Sequence, residues 1–176
     1  MRTRNVFAAL AAALLAACST PTPRAPATVA TQVELKRFMG DWYVIASIPT
    51  FLEKGAHNAV ERYRLDDDGS VAVNFTFNAD GFDGPLKTYT PRGFVLDATN
   101  ARWGMRFVWP IKADYRISYV ASDYSLTVIG REARDYVWIM ARTPTIPDAE
   151  YQRMVEFVTR EGYDLGKLER VPQQPR

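Results

Sequence analysis

One cysteine, Cys18, and one histidine, His57, are all the chain has of either residue in 176 positions. A single thiol allows no internal disulfide, so the fold has to be held by packing alone. A lone histidine with no thiol or acid-rich set spaced around it is no metal-binding pattern. Neither a Gly-x-Ser-x-Gly elbow nor a P-loop is present, so no catalytic residue, no metal and no cofactor is expected. Charge of one sign is also scarce. Arg2 and Arg4 stand ahead of the first apolar run; of the 22 basic residues the other 20 face 20 acidic ones. No basic run is interleaved with aromatics, which argues against nucleic acid as a partner. Long hydrophobic runs are limited to Val6–Ala17, too short to cross a bilayer as a stable helix.

That run, with its basic head at Arg2 and Arg4, ends in Leu15-Ala16-Ala17-Cys18. Leucine, two small residues and a cysteine resemble the lipobox of bacterial lipoproteins. The resemblance implies a signal peptide over 1–17, cut before Cys18, and acyl chains on that cysteine. Each buried methylene adds about 0.8 kcal/mol to such an anchor. Ser19, rather than Asp, follows the cysteine, which favours the outer membrane. Residues 18–32 read as a flexible tether, because Pro21, Pro23 and Pro26 favour an extended, hydrated chain. The remaining 33–176 suffice for one domain with one core.

From Gly40 the pattern has period two. Trp42, Val44, Ala46 and Ile48 alternate with Tyr43, Ile45 and Ser47; Ala59, Glu61, Tyr63 and Leu65 alternate with Val60, Arg62 and Arg64. Asp66-Asp67-Asp68-Gly69 then marks a hairpin turn before Val71, Val73, Phe75 and Phe77. Later runs hold Gly93 and Val95; Met105, Phe107 and Trp109; Tyr115, Ile117 and Tyr119; Leu126 and Val128; and Tyr136, Trp138 and Met140. About eight strands in sequence suit a closed antiparallel barrel around one small ligand, although periodicity alone leaves a two-sheet sandwich open. After Thr143-Pro144-Thr145-Ile146-Pro147 the period changes, and Tyr151, Met154, Val155 and Val158 form one stripe at i, i+3, i+4 and i+7. Asp148 is the expected N-cap, Gly162 the stop, and Leu168–Val171 a candidate edge strand.

Three short motifs and this order of parts are similar to the lipocalin family. Gly40-x-Trp42-Tyr43 matches the family's first signature, Ser122-Asp123-Tyr124 its usual Thr-Asp-Tyr, and Arg142 its third. The run from Arg134 to Ile146, followed by Thr159-Arg160-Glu161-Gly162-Tyr163-Asp164, resembles the bacterial outer-membrane lipoprotein branch, related to apolipoprotein D. That branch commonly continues its first signature with Glu-Ile-Ala-Arg, where this chain has Val44-Ile45-Ala46-Ser47. The resemblance implies an all-β fold: an eight-stranded up-and-down antiparallel barrel with one C-terminal α-helix packed outside. It also implies that Gly40, Trp42, Tyr43, Asp123, Tyr124 and Arg142 are structural, with the Arg142 guanidinium closing the floor over the Trp42 indole.

Alternation then points Trp42, Val44, Tyr63, Val73, Phe75, Phe107, Tyr115, Ile117, Leu126, Val128, Trp138 and Met140 inward, as a lining suited to an acyl chain. Glu61 shares that parity. On the rim it needs no explanation; buried, it has to pair or stay protonated. Phe51 and Leu52, on the loop after the first strand, are placed at the mouth as a lid or a membrane contact. The expected function is a lipid-anchored envelope protein that binds, stores or transports fatty acids, lysophospholipids or similar amphiphiles for membrane maintenance or stress response. Its partners are the amphipathic ligand and the membrane, through acylated Cys18, with a homodimer left open. The alternative is a non-enzymatic envelope scaffold whose barrel its own aromatics fill.

Overall fold

The computed structural model describes residues 24–108 and 110–174. Cys18, the leader and Trp109 lie outside the described residues.

Residues 24–32 are not the free tether expected. They run as a strap along the barrel wall. Arg24 bonds the Gly162 carbonyl, Thr28 N–H donates to the Glu161 carboxylate at 3.0 Å, and Ala30 N–H donates to the Ile117 carbonyl at 2.8 Å. Ala27 is buried. Proline favours extension, but an extended chain still has backbone groups to satisfy, and barrel groups far away in sequence take them. A single helical turn, α1 (Leu35–Phe38), then passes beneath the barrel and drives Phe38 into it.

The strands β1 (Gly40–Ile48), β2 (Ala56–Leu65), β3 (Val71–Ala79), β4 (Leu86–Tyr89), β5 (Arg92–Val95), β6 (Arg102–Arg106), β7 (Ala113–Val120), β8 (Leu126–Gly130) and β9 (Val137–Ala141) follow in antiparallel order. Both β4 and β5 pair with β3, as two halves of one barrel strand. The break falls at Pro91, which has no N–H for the ladder, while its carbonyl accepts from Val73 N–H at 3.1 Å. Pairing of β9 with β1, with Val44 opposite Met140, closes an eight-stranded barrel and removes the sandwich alternative. The predicted edge strand forms as β10 (Glu169–Arg170), outside the barrel against Ala46 and Ser47 of β1.

Two apolar layers result. One fills the barrel; the other lies between its wall and α2 (Asp148–Arg160). Met154 and Val158 of the predicted stripe are buried there, and Phe157 joins them with its ring 5.7 Å from Tyr119. Asp148 is the first helical residue rather than the cap: Pro147 holds that place, and Asp148 is one of two acids in the first turn. Gly162 ends the helix in the left-handed region, φ +82°, where only glycine is unstrained.

Strict alternation fails at bulges. The β1–β9 register shifts between Val44 and Ala46. Trp42 and Val44 therefore face inward while Ala46 and Ile48 turn to the helix side. A second shift, in β7 between Ile117 and Tyr119, keeps Tyr115 and Ile117 inside and turns Tyr119 out. Leu126 and Val128 are a correction. They pack under α2, and Ile129 takes the inner face. Every residue of β8 is buried, so alternation marks its two faces without saying which one is the interior.

Candidate functional site

The barrel is closed at one end by aromatic packing. Phe38 lies 5.0 Å from the Trp42 ring, 5.6 Å from Tyr63 and 5.7 Å from Trp103, centroid to centroid. The indole N–H of Trp42 donates to the Phe38 carbonyl at 2.8 Å, which satisfies the one polar atom of that buried ring. From outside, Arg142 covers the same indole at 3.8 Å. Its Nη1 donates to the Asp41 carbonyl at 2.8 Å and its Nη2 to the Arg37 carbonyl at 2.7 Å. Gly40, at φ +96°, turns the chain under this guanidinium; a Cβ there would stand 3.4 Å from Nη1. Tyr124 belongs to the same end. Its hydroxyl accepts from Glu34 N–H at 2.8 Å, and its ring lies 4.1 Å under Arg37. Asp123 accepts from Ser125 N–H at 3.0 Å, and these bonds hold its pKa below the usual carboxylate value. Tyr43 lies on the outer face of β1, against the helix-side layer.

Above this floor the barrel is hollow. A cavity of about 360 Å³ opens between the loops that join β1 to β2, β6 to β7 and β8 to β9. Among the residues predicted to face it, Val73, Phe75, Phe107, Tyr115 and Trp138 line it, with Phe51 and Leu52 at the mouth. Val44, Tyr63, Ile117 and Met140 are in the barrel core but contribute to the packing around and below the cavity. Phe107 lies past the end of β6, which stops at Arg106, so it sits on the rim and is 57% exposed. Phe51, Val108 and Ile111 are exposed on the same side, giving the mouth an apolar edge.

Sequence reasoning missed Tyr89, Met105, Tyr136 and Glu53, which also line the cavity. Met105 and Tyr136 stood on strands whose alternation marked them, and Glu53 is on the mouth loop. Tyr89 precedes the break at Pro91 and carries no local signal.

The cavity is apolar except for a few groups. Glu53 accepts from the Trp138 indole N–H at 2.7 Å and from the Thr50 hydroxyl at 2.7 Å. Burial raises its pKa all the same. Glu61 borders the cavity from β2, its Oε2 fully buried and without a hydrogen-bond partner. Burial, and then the charge of Glu53, push the Glu61 pKa up to about 8, against a hydrogen bond with Tyr115. The Tyr115 hydroxyl is also 2.5 Å from that of Tyr63. Among the described residues, no group of three histidines, cysteines or acids could hold a metal ion.

An antiparallel barrel with a sealed aromatic floor, an apolar interior and one open end defines a small-molecule binding protein. Residues 33–173 match the family described as a lipocalin-like domain. The outer membrane lipoprotein Blc of Citrobacter freundii is 36% identical over 170 residues, covering 96% of each chain. Blc of Escherichia coli K12 is 36% identical over 165 residues, covering 93% of this chain and 92% of that one. Among solved structures, the cockroach allergen Per a 4 superposes with a TM-score of 0.63 at 18% identity, over 86% of this chain and 95% of that one. The chain belongs to the lipocalin family. Its fold is one for binding and transport of hydrophobic ligands.

Proposed function

We propose that the protein is a lipid-anchored lipocalin of the outer membrane that takes up, stores or carries fatty acids, lysophospholipids or similar amphiphiles for membrane maintenance or stress response. The observation that carries this reading is the hollow upper half of the barrel. A scaffold filled by its own aromatics would need the packing to close the barrel up to the mouth, whereas Tyr115, stacked on Trp103 with ring centroids 5.5 Å apart, already borders the cavity. The site at Leu15-Ala16-Ala17-Cys18 supports an anchor facing the periplasm, as does likeness to relatives named outer membrane lipoproteins.

Burying about twelve methylenes offers roughly 10 kcal/mol gross at 0.8 each. Association and ordering costs reduce this to micromolar affinity, about −8 kcal/mol at most. Native mass spectrometry of the protein purified without its leader and anchor, followed by titration with a fluorescent fatty acid, tests the reading. Co-purified amphiphile or saturable micromolar binding supports it. A barrel that comes out empty and ignores the probe overturns it.

A further inference from the structure

We propose that the cavity selects an apolar amine, with its protonated nitrogen against Glu61 at the base and its hydrocarbon along the aromatic wall above. The inference rests on the amphiphile-binding reading and deepens it by naming the polar group of the ligand. On β2, Glu61 is the deepest residue to border the cavity, since Tyr63, two positions on, is already part of the floor. Its Oε2 is buried with no partner. A buried oxygen left so is costly; the Tyr115 hydroxyl offers the carboxyl one hydrogen bond, and among the described residues no Lys or Arg pairs with it. Glu53 is already satisfied by Trp138 and Thr50. Arg131 is the one basic side chain on the lining among the described residues; its Nη1 is held at the rim by Asp135 at 3.1 Å, its guanidinium lies 5.3 Å from the Tyr136 ring, and its buried Nε has no partner.

A ligand cation fits this arrangement for two reasons. An ammonium carries three donors and no acceptor, so it can complete Oε2 without needing an acceptor in return. Phe75, Tyr115 and Trp138 border the same space, and aromatic rings attract cations to their faces. A fatty-acid carboxylate carried to the same depth would find no opposite charge there, only two acids whose charged forms burial already disfavours. The proton affinity of Glu61 agrees, since its acid form is favoured only while no cation is beside it.

The test uses three chain-matched competitors, dodecylamine, dodecanol and dodecanoic acid, displacing N-phenyl-1-naphthylamine from the full barrel near neutral pH. The amine should displace the probe at about tenfold lower concentration than either of the others. Glu61→Gln keeps the shape and removes the charge. It should erase that advantage while leaving dodecanol within about twofold. Dodecanol matching dodecylamine in the wild type, which requires no variant to fold, overturns the proposal, as does an amine advantage that survives in Glu61→Gln. Failure of all three to displace the probe would instead overturn the amphiphile-binding reading, and this inference with it.

Discussion

Truncation of Trp42 and Arg142, singly and together, tests the floor directly. The Trp42 ring is fully buried, against Phe38 on one side and the Arg142 guanidinium at 3.8 Å on the other. Trp42→Ala leaves a large cavity in a closed end and should cost about 3–5 kcal/mol. Arg142→Ala loses the attraction to the indole, about 0.5–2 kcal/mol. It also strips donors from the carbonyls of Asp41 and Arg37, for a total of roughly 2–3 kcal/mol. The two effects share the ring contact, so the double variant should be less destabilised than their sum by about 1 kcal/mol. Urea unfolding followed by circular dichroism gives all four stabilities without relying on indole fluorescence. Coupling within about 0.3 kcal/mol of zero would mean that the guanidinium and the indole act independently, and the account of the floor would fail.

Leu126→Lys places a charge under α2 and should destabilise by roughly 3 kcal/mol or more while leaving the affinity of the folded fraction unchanged; weakened binding at full foldedness, read by probe titration, would put Leu126 in the cavity after all. Glu61 should make the barrel less stable as pH rises. Its folded pKa, about 8, exceeds the ordinary glutamate value of 4.5, so the folded state holds the extra proton between those limits. Stability then falls across that window by at most about 1.4 kcal/mol per pH unit, and unfolding midpoints of Glu61→Gln should lack this slope. Phe51→Ser with Leu52→Ser alters side chains that are 78% and 40% exposed, so stopped-flow uptake and release should change while the unfolding midpoint stays close to that of the wild type.

What could be read from the chain was mostly local. Gly40, Trp42 and Tyr43 sit at the start of one strand and Arg142 just after the end of another, and both ends of the motif carry distinctive residue types. The helix stripe at Met154 and Val158 has a period that no strand imitates. Errors came where a strand is buried on both faces or changes register. Nothing near Leu126 says that the wall of β8 lies beneath a helix, and a bulge such as that at Ile45 appears only when two strands are set side by side. Glu61 was legible in parity alone. Its burial depends on the depth at which the aromatic floor stops, which involves Phe38, Tyr63 and Trp103 from three distant stretches. The strap escaped for the same reason, since its hydrogen-bond partners lie far along the chain, 105 residues away for Ala27 and 133 for Thr28.

That strap also gives the barrel a direction. Its first described residues lie beside Arg134, Glu161 and Gly162, level with the loop that carries Arg131 on the cavity rim. From there the chain descends the wall and turns beneath the floor before β1 begins. Cys18 stands six residues ahead of Arg24, and six fully extended residues reach no more than about 20 Å. If Cys18 carries the anchor proposed above, the molecule hangs inverted from its leash, with its opening held close to the lipid leaflet and its sealed base turned toward the aqueous space. A ligand leaving the bilayer would then have only a short gap to cross, edged by Phe51, Phe107 and Val108.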